Sequence, residues 1–177
     1  MMKKITLRYG TYGVIIMVAV LLPEFFIFKN DPHYEVQEVI GFATIVASLL
    51  FVYFGIRRWR DNENAGQLGF WRGIGLGSLI SLLPSLAFGL LSIIELRFLD
   101  PQFNDKYYAY YIEKAKRTTP PEQLEAAIKS INEGKEMFSS PLAQFFVMFL
   151  TVFIIGFIIT IISTLILRRN KPRALKL

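Results

Sequence analysis

The stretch Gly73-Ile-Gly75-Leu-Gly77-Ser78-Leu-Ile-Ser81-Leu-Leu-Pro84-Ser85-Leu-Ala-Phe-Gly89-Leu-Leu-Ser92-Ile-Ile94 decides the fold class. It contains no charged side chain, and its length matches the ~20 residues that a helix needs to cross a hydrocarbon core about 30 Å thick. Within it Gly73, Gly77, Ser81, Ser85 and Gly89 recur every fourth residue and so form a seam of small side chains along one helix face. Lipid gives helices no hydrophobic reason to associate, so close backbone approach over small residues is a main source of attraction. The seam is read as a helix-packing surface, facing either neighbours in the same chain or another subunit. Pro84, in mid-span, frees the carbonyl four residues back and predicts a modest kink, with Ser81 and Ser85 as candidate hydrogen-bond partners. Gly73-x-Gly75-x-Gly77 is not a phosphate loop, since it opens a membrane span and follows no strand.

Three further stretches lack charge: Tyr9–Pro23, Val39–Ile56 and Met137–Leu167. The first reaches spanning length if it continues to Phe28. The fourth starts at Pro141, a residue favoured in the first helical position, with Ser139 and Ser140 as caps. The predicted protein is therefore an all-α integral membrane domain over 1–177. Its spans are placed at about 9–28, 39–56, 73–95 and 141–167, with an outer helical segment at about 96–140. The composition agrees: 53% hydrophobic and 19% charged, against about 25% charged in a soluble domain. A basic run at Lys3, Lys4 and Arg8 precedes the first span as in a signal peptide, but no small-x-small cleavage site follows, so the segment is read as a retained helix.

Charge asymmetry sets the expected orientation. With the amino terminus inside, the inner segments hold 12 basic residues against two acids, and the outer segments eight against 12. Both termini and the short 57–72 loop are expected in the cytoplasm. Trp59 and Trp71, flanking that loop, are expected at headgroup level. The same asymmetry explains the net charge of +6 without invoking nucleic acid. The expected location is the inner, cytoplasmic membrane of a bacterium, with the lipid bilayer as partner and a membrane protein or a second copy as further candidates.

Catalytic chemistry finds little to stand on. Cysteine is absent and His33 is the sole histidine, which removes thiolate metal sites, disulfides and His-paired nucleophiles. No cofactor or metal site is expected. No charged residue lies deep in a span; Glu24 and Glu95 lie near the outer ends, with Arg97 close to Glu95. These form a candidate outer polar cluster, which Gln144 can join, and which either reaches water or pairs internally, or else binds a cationic or hydroxylated group.

The second span presents Gly41, Thr44, Ser48 and Gly55, and the fourth presents Gly156, Thr160, Ser163 and Thr164. Both are candidate partner faces for the third helix. Outside the bilayer, Asn104 or Asp105 caps a predicted helix through about Arg117 bearing Tyr107, Tyr108, Tyr110 and Tyr111. The preferred reading of these rings is an anchor at headgroup level, with a sugar- or groove-covering role as the alternative. Thr119-Pro-Pro-Glu122 reads as a capping box for a second helix, with an apolar stripe of Leu124, Ile128 and Ile131, a Glu125–Lys129 pair and a stop at Gly134.

The segments Gly55-Ile-Arg-Arg-Trp-Arg-Asp61, Asn64-x-Gly66-x-Leu-Gly-Phe70, Arg72-Gly-x-Gly-Leu-Gly77 and Phe98-Leu-Asp-Pro-x-Phe103 resemble small bacterial membrane proteins grouped as domain of unknown function 4199. The resemblance implies four spans and a charged helical outer segment, and it brings no activity or site residues. The leading functional expectation is a non-catalytic scaffold or accessory subunit of a membrane complex. Its rival is a small transporter or lipid-handling protein with a groove along the third helix near Pro84. Such a path needs Ser78, Ser81, Ser85, Thr160 or Ser163 open to water or lipid. An enzyme using Glu24, Glu95 or Asp100 stands third.

Overall fold

The computed structural model describes residues 2–29, 33–138 and 140–169. Asp31, Ser139 and the basic tail residues Lys171, Arg173 and Lys176 lie outside them. Six helices follow in order: α1 Met2–Ile27, α2 Tyr34–Glu63, α3 Phe70–Ile94, α4 Phe103–Thr118, α5 Pro121–Met137 and α6 Pro141–Arg169. Among the described residues there is no strand. A π-turn, Glu95–Leu99, prolongs α3 and closes with the Asp100 amide donating to the Glu95 carbonyl at 2.8 Å. Four helices (α1, α2, α3 with its π-turn, and α6) are long and apolar enough to cross a membrane.

The first three spans are longer than their charge-free stretches. α2 starts at Tyr34 and ends at Glu63, well outside the expected 39–56. A charged side chain stops burial in hydrocarbon, but it does not stop a helix whose backbone bonds are internal. The return from α2 to α3 uses Ala65 (φ 50°) and Gly66 (φ 75°) in succession, both left-handed.

α2 and α3 occupy the middle of the bundle, with α1 and α6 flanking them on opposite sides. The small residues explain how closely the flanking helices approach. A Cβ on Gly73 would lie 2.7 Å from Thr164 Oγ1, one on Gly77 2.6 Å from Thr160 Oγ1, and one on Gly156 2.7 Å from Ser81 Oγ. Each step of four residues up α3 thus meets a step of four down α6. At the far end Gly89 receives the Phe145 ring, 2.7 Å from the place of a Cβ. All five seam residues, Gly73, Gly77, Ser81, Ser85 and Gly89, are buried, and α6 covers the seam within the chain.

The second-span face is divided among neighbours. Ser48 donates to the Gly13 carbonyl of α1 at 2.9 Å, not to α3. Gly55 admits Ile80 of α3 and Tyr9 of α1. Gly41 has nothing within 4 Å of a Cβ. Pro84 also departs from expectation, because Ser81 and Ser85 donate to the carbonyls of Gly77 and Ser81 and not to the freed carbonyl of Ile80. That oxygen faces α1 instead, 3.3 Å from where Gly10 would carry a Cβ.

At the end bearing the α2–α3 turn, Arg60 is 9% exposed. Its Nε donates to Asp61 Oδ1 at 2.6 Å, and its Nη1 donates to the Leu167 carbonyl at 3.0 Å, tying α2 to the last turn of α6. Replacing it with methionine should lower stability by about 2 kcal/mol, since a buried carbonyl loses a charged donor; thermal melting in detergent reads the change. The tryptophans part company here. Trp71 is 80% exposed, whereas Trp59 is 7% exposed and belongs to the core.

Candidate functional site: a chamber at the hairpin end

At the opposite end, α4 and α5 form a hairpin. Asn104 Nδ2 donates to the Phe138 carbonyl at 3.2 Å, and Lys135 pairs with Asp105 at 2.7 Å. Neither Asn104 nor Asp105 caps α4, whose N-cap is Gln102 without a side-chain bond. Thr119 does not open α5 either. Its amide donates to the Ala115 carbonyl and so closes α4, and Pro120 precedes the first helical residue of α5. Ser140 does cap α6, accepting from the Ala143 amide at 3.1 Å. α5 runs through Gly134, the expected stop, to Met137, and Gly134 lies beside the Tyr108 ring, which a Cβ there would meet at an ordinary 3.5 Å. Lys129 lies 3.9 Å from Glu133, not beside Glu125.

The tyrosines turn toward the bundle. Tyr107 and Tyr111, one helical turn apart, each donate a hydroxyl to Glu38 Oε1 of α2 at 2.6 Å. Tyr110 reaches Glu35 at 3.1 Å, and Lys114 also pairs with Glu35. Tyr34, 5% exposed, stands among the rings of Phe103, Tyr107 and Tyr110. The headgroup-anchor reading thus gives way to a hairpin docked on the end of α2 by phenol–carboxylate bonds.

Burial and the neighbouring Glu38 carboxylate push both the Tyr107 and Tyr111 hydroxyls well above the ordinary phenol range. With folded pKa values raised, their contribution is fully present below about pH 10, the unfolded value, and is lost as pH rises beyond it. Titration of the phenolate absorbance should therefore show two tyrosines ionising later than the rest, and together with loss of the hairpin.

Beneath this roof lies a chamber of about 470 Å³. Every span contributes to it: Glu24 from α1, Glu38 and Gly41 from α2, Ser92 from α3, and Gln144 from α6. Glu95 joins from the π-turn, and Phe25, Phe42, Phe88 and Met148 make much of the wall apolar. Glu24 is 7% exposed and Gln144 5%. Glu24 Oε2 and Gln144 Oε1 are buried without a hydrogen-bond partner. The packing of the spans covers Glu24, leaving it little contact with water.

Glu24 and Glu95 therefore share one chamber, as the outer-cluster reading grouped them. Arg97 does not join. It is exposed, lines no part of the chamber, and among the described residues makes no ion pair with Glu95. Residues two apart on a helix do not face one another. Glu38 escaped the sequence reading. The signal was present in the one-turn spacing of Tyr107 and Tyr111, but nothing in the sequence says which carboxylate they meet.

Most of the residues that a groove along the third helix needs are closed off among the described residues. Ser81, Ser85 and Thr160 are 0% exposed and Ser163 4%, Ser78 is half-buried, and none of the five lines the chamber. Among the described residues no three His, Asp or Glu side chains gather as a metal-binding group, so the carboxylates line the chamber without forming a metal-ion cluster.

Neither a curated protein nor a solved structure matches the chain. A family model does match, over residues 8–169, nearly the whole of the bundle and hairpin described above. The chain belongs to the family described as Protein of unknown function (DUF4199).

Proposed function

We propose that the protein is a non-catalytic binding protein of the bacterial cytoplasmic membrane that holds an amphipathic small molecule or lipid head in the hairpin-end chamber. The chamber carries this reading. Its volume lies within the range of about 300–1,000 Å³ typical of small-ligand sites, and it combines an apolar wall with a few convergent polar groups. The charge distribution supports an orientation with both termini in the cytoplasm and the chamber toward the outer leaflet. The rival lipid-handling role is retained, with its site moved from mid-span to the outer end of α3. A scaffold role loses one of its grounds, since α6 already occupies the seam; what remains for a partner is α5, which has no buried residue.

Gly41 offers the test. A side chain there has open space and grows into the chamber, so Gly41→Leu should occupy the site while improving helix propensity. Native mass spectrometry of protein released from membranes should show a bound amphiphile on the wild type and a loss of about tenfold or more in Gly41→Leu. Gly75→Leu, equally unobstructed but on the exposed face of α3, should retain it. Equal adducts on all three proteins would overturn the proposal.

A further inference from the structure

We infer that the chamber selects a head group that is a primary ammonium, carried on an apolar chain; this rests on the chamber being a ligand site. Three carboxylates, Glu24, Glu38 and Glu95, line the chamber, and no lysine or arginine does. Among the described residues none of the three is in an ion pair, while the lysines nearby are spent elsewhere: Lys106 on Asp100, Lys114 on Glu35 and Lys135 on Asp105. Glu38 is satisfied by two phenols. Glu24 and Gln144 are not, since each is more than nine-tenths buried and keeps an oxygen with no donor. Buried acceptors without donors are costly and rare. The two orphaned oxygens themselves have almost no accessible surface, so a donor in the chamber meets them only after the carboxylate or amide turns about its last bond, a torsion with a broad, roughly two-fold preference.

What fits is a group that brings both positive charge and several N–H donors in a small volume. A primary ammonium carries three donors and no acceptor. A quaternary ammonium matches the charge and the aromatic wall but offers no N–H. An alcohol offers one donor and no charge. An anion would meet three carboxylates and no lysine or arginine to offset them. The apolar wall at Phe25, Phe42, Phe88 and Met148 takes the first carbons of the chain, whether it belongs to a free alkylamine or to an aminophospholipid whose tails stay in the bilayer.

The experiment uses the full chain in phosphatidylcholine nanodiscs, with Gly41→Leu as the blank for partition into lipid. Dodecylammonium, dodecyltrimethylammonium and dodecanol are compared by native mass spectrometry. The inference expects dodecylammonium to bind about tenfold or more tighter than either of the others. It expects Glu24→Gln and Glu95→Gln each to remove most of that preference while leaving dodecanol binding as it was. Exchange into discs containing phosphatidylethanolamine separates the sources: retention of that lipid over phosphatidylcholine identifies a membrane headgroup, and its absence a free amine. If dodecanol or the quaternary compound binds as well as the amine, the ammonium assignment is overturned and the chamber remains a ligand site. If none binds beyond the blank, both fall. Should Glu24→Gln fail to fold, Glu95→Gln and the wild-type series decide alone.

Discussion

Gly77→Leu is expected to unseat α6 and lower stability by about 3 kcal/mol, at the upper end of what overpacking a core costs. The first added carbon would already lie 2.6 Å from Thr160 Oγ1 and 3.0 Å from Ile56 Cδ1. Thr160 has little freedom to retreat, because a threonine on a helix is confined to two χ1 positions that bond its hydroxyl back to the helix, here to the Gly156 carbonyl at 2.7 Å. The backbones must therefore separate, and the paired contacts at Gly73–Thr164 and Ser81–Gly156 loosen with them. Gly75→Leu, two residues earlier on the open face, supplies the control with the same gain in side-chain volume. Melting in detergent should drop sharply for the first variant and stay within error for the second; coincident curves would contradict the seam.

The second large effect belongs to the roof. Glu38→Ala removes the common acceptor of Tyr107 and Tyr111, two charge-assisted bonds that together outweigh any other link between hairpin and bundle. A helix of 16 residues is marginal once it loses its docking surface, so α4 should fray. Limited trypsin digestion reads this directly, since Lys106, Lys114, Lys116 and Arg117 lie on α4. Cleavage there should rise about tenfold or more, and the double variant Tyr107→Phe with Tyr111→Phe should reproduce it. Tyr110→Phe, which gives up only a 3.1 Å bond to exposed Glu35, should behave like the wild type. Digestion unchanged in Glu38→Ala would place the hairpin's support elsewhere.

What could be read from the chain and what could not divide along physical lines. The four apolar helices and the seam are periodic features, and periodicity is local: Gly73 to Gly89 announce a packing face without any knowledge of the partner. Gly156, Thr160 and Thr164 could be named as one candidate partner, though their residue-by-residue match to α3 depends on how two helices settle in depth. Side-chain direction was harder. Trp59 and Trp71 look equivalent beside a basic turn, yet one is enclosed and the other open, because twelve residues of helix and turn rotate them differently.

The tyrosines of α4 have the composition of a lipid-facing girdle, and only the position of Glu38 turns them inward. The chamber was least legible of all. Its walls come from five helices and a π-turn, so no run of residues encodes it. Glu24, Glu95 and Gln144 could be noticed as polar oddities, whereas their enclosure in one space is a property of assembly.

The seating of α6 has a consequence for biogenesis. During synthesis α1, α2 and α3 can assemble first, and for that interval the glycine face of α3 is bare to lipid. The hairpin is made before the helix that completes the membrane part, so the closing strut arrives after the roof. A stop codon between the end of α3 and Pro141 would leave a trimmed bundle whose docking slot stays open, exposed to any foreign helix with well-spaced threonines and a glycine.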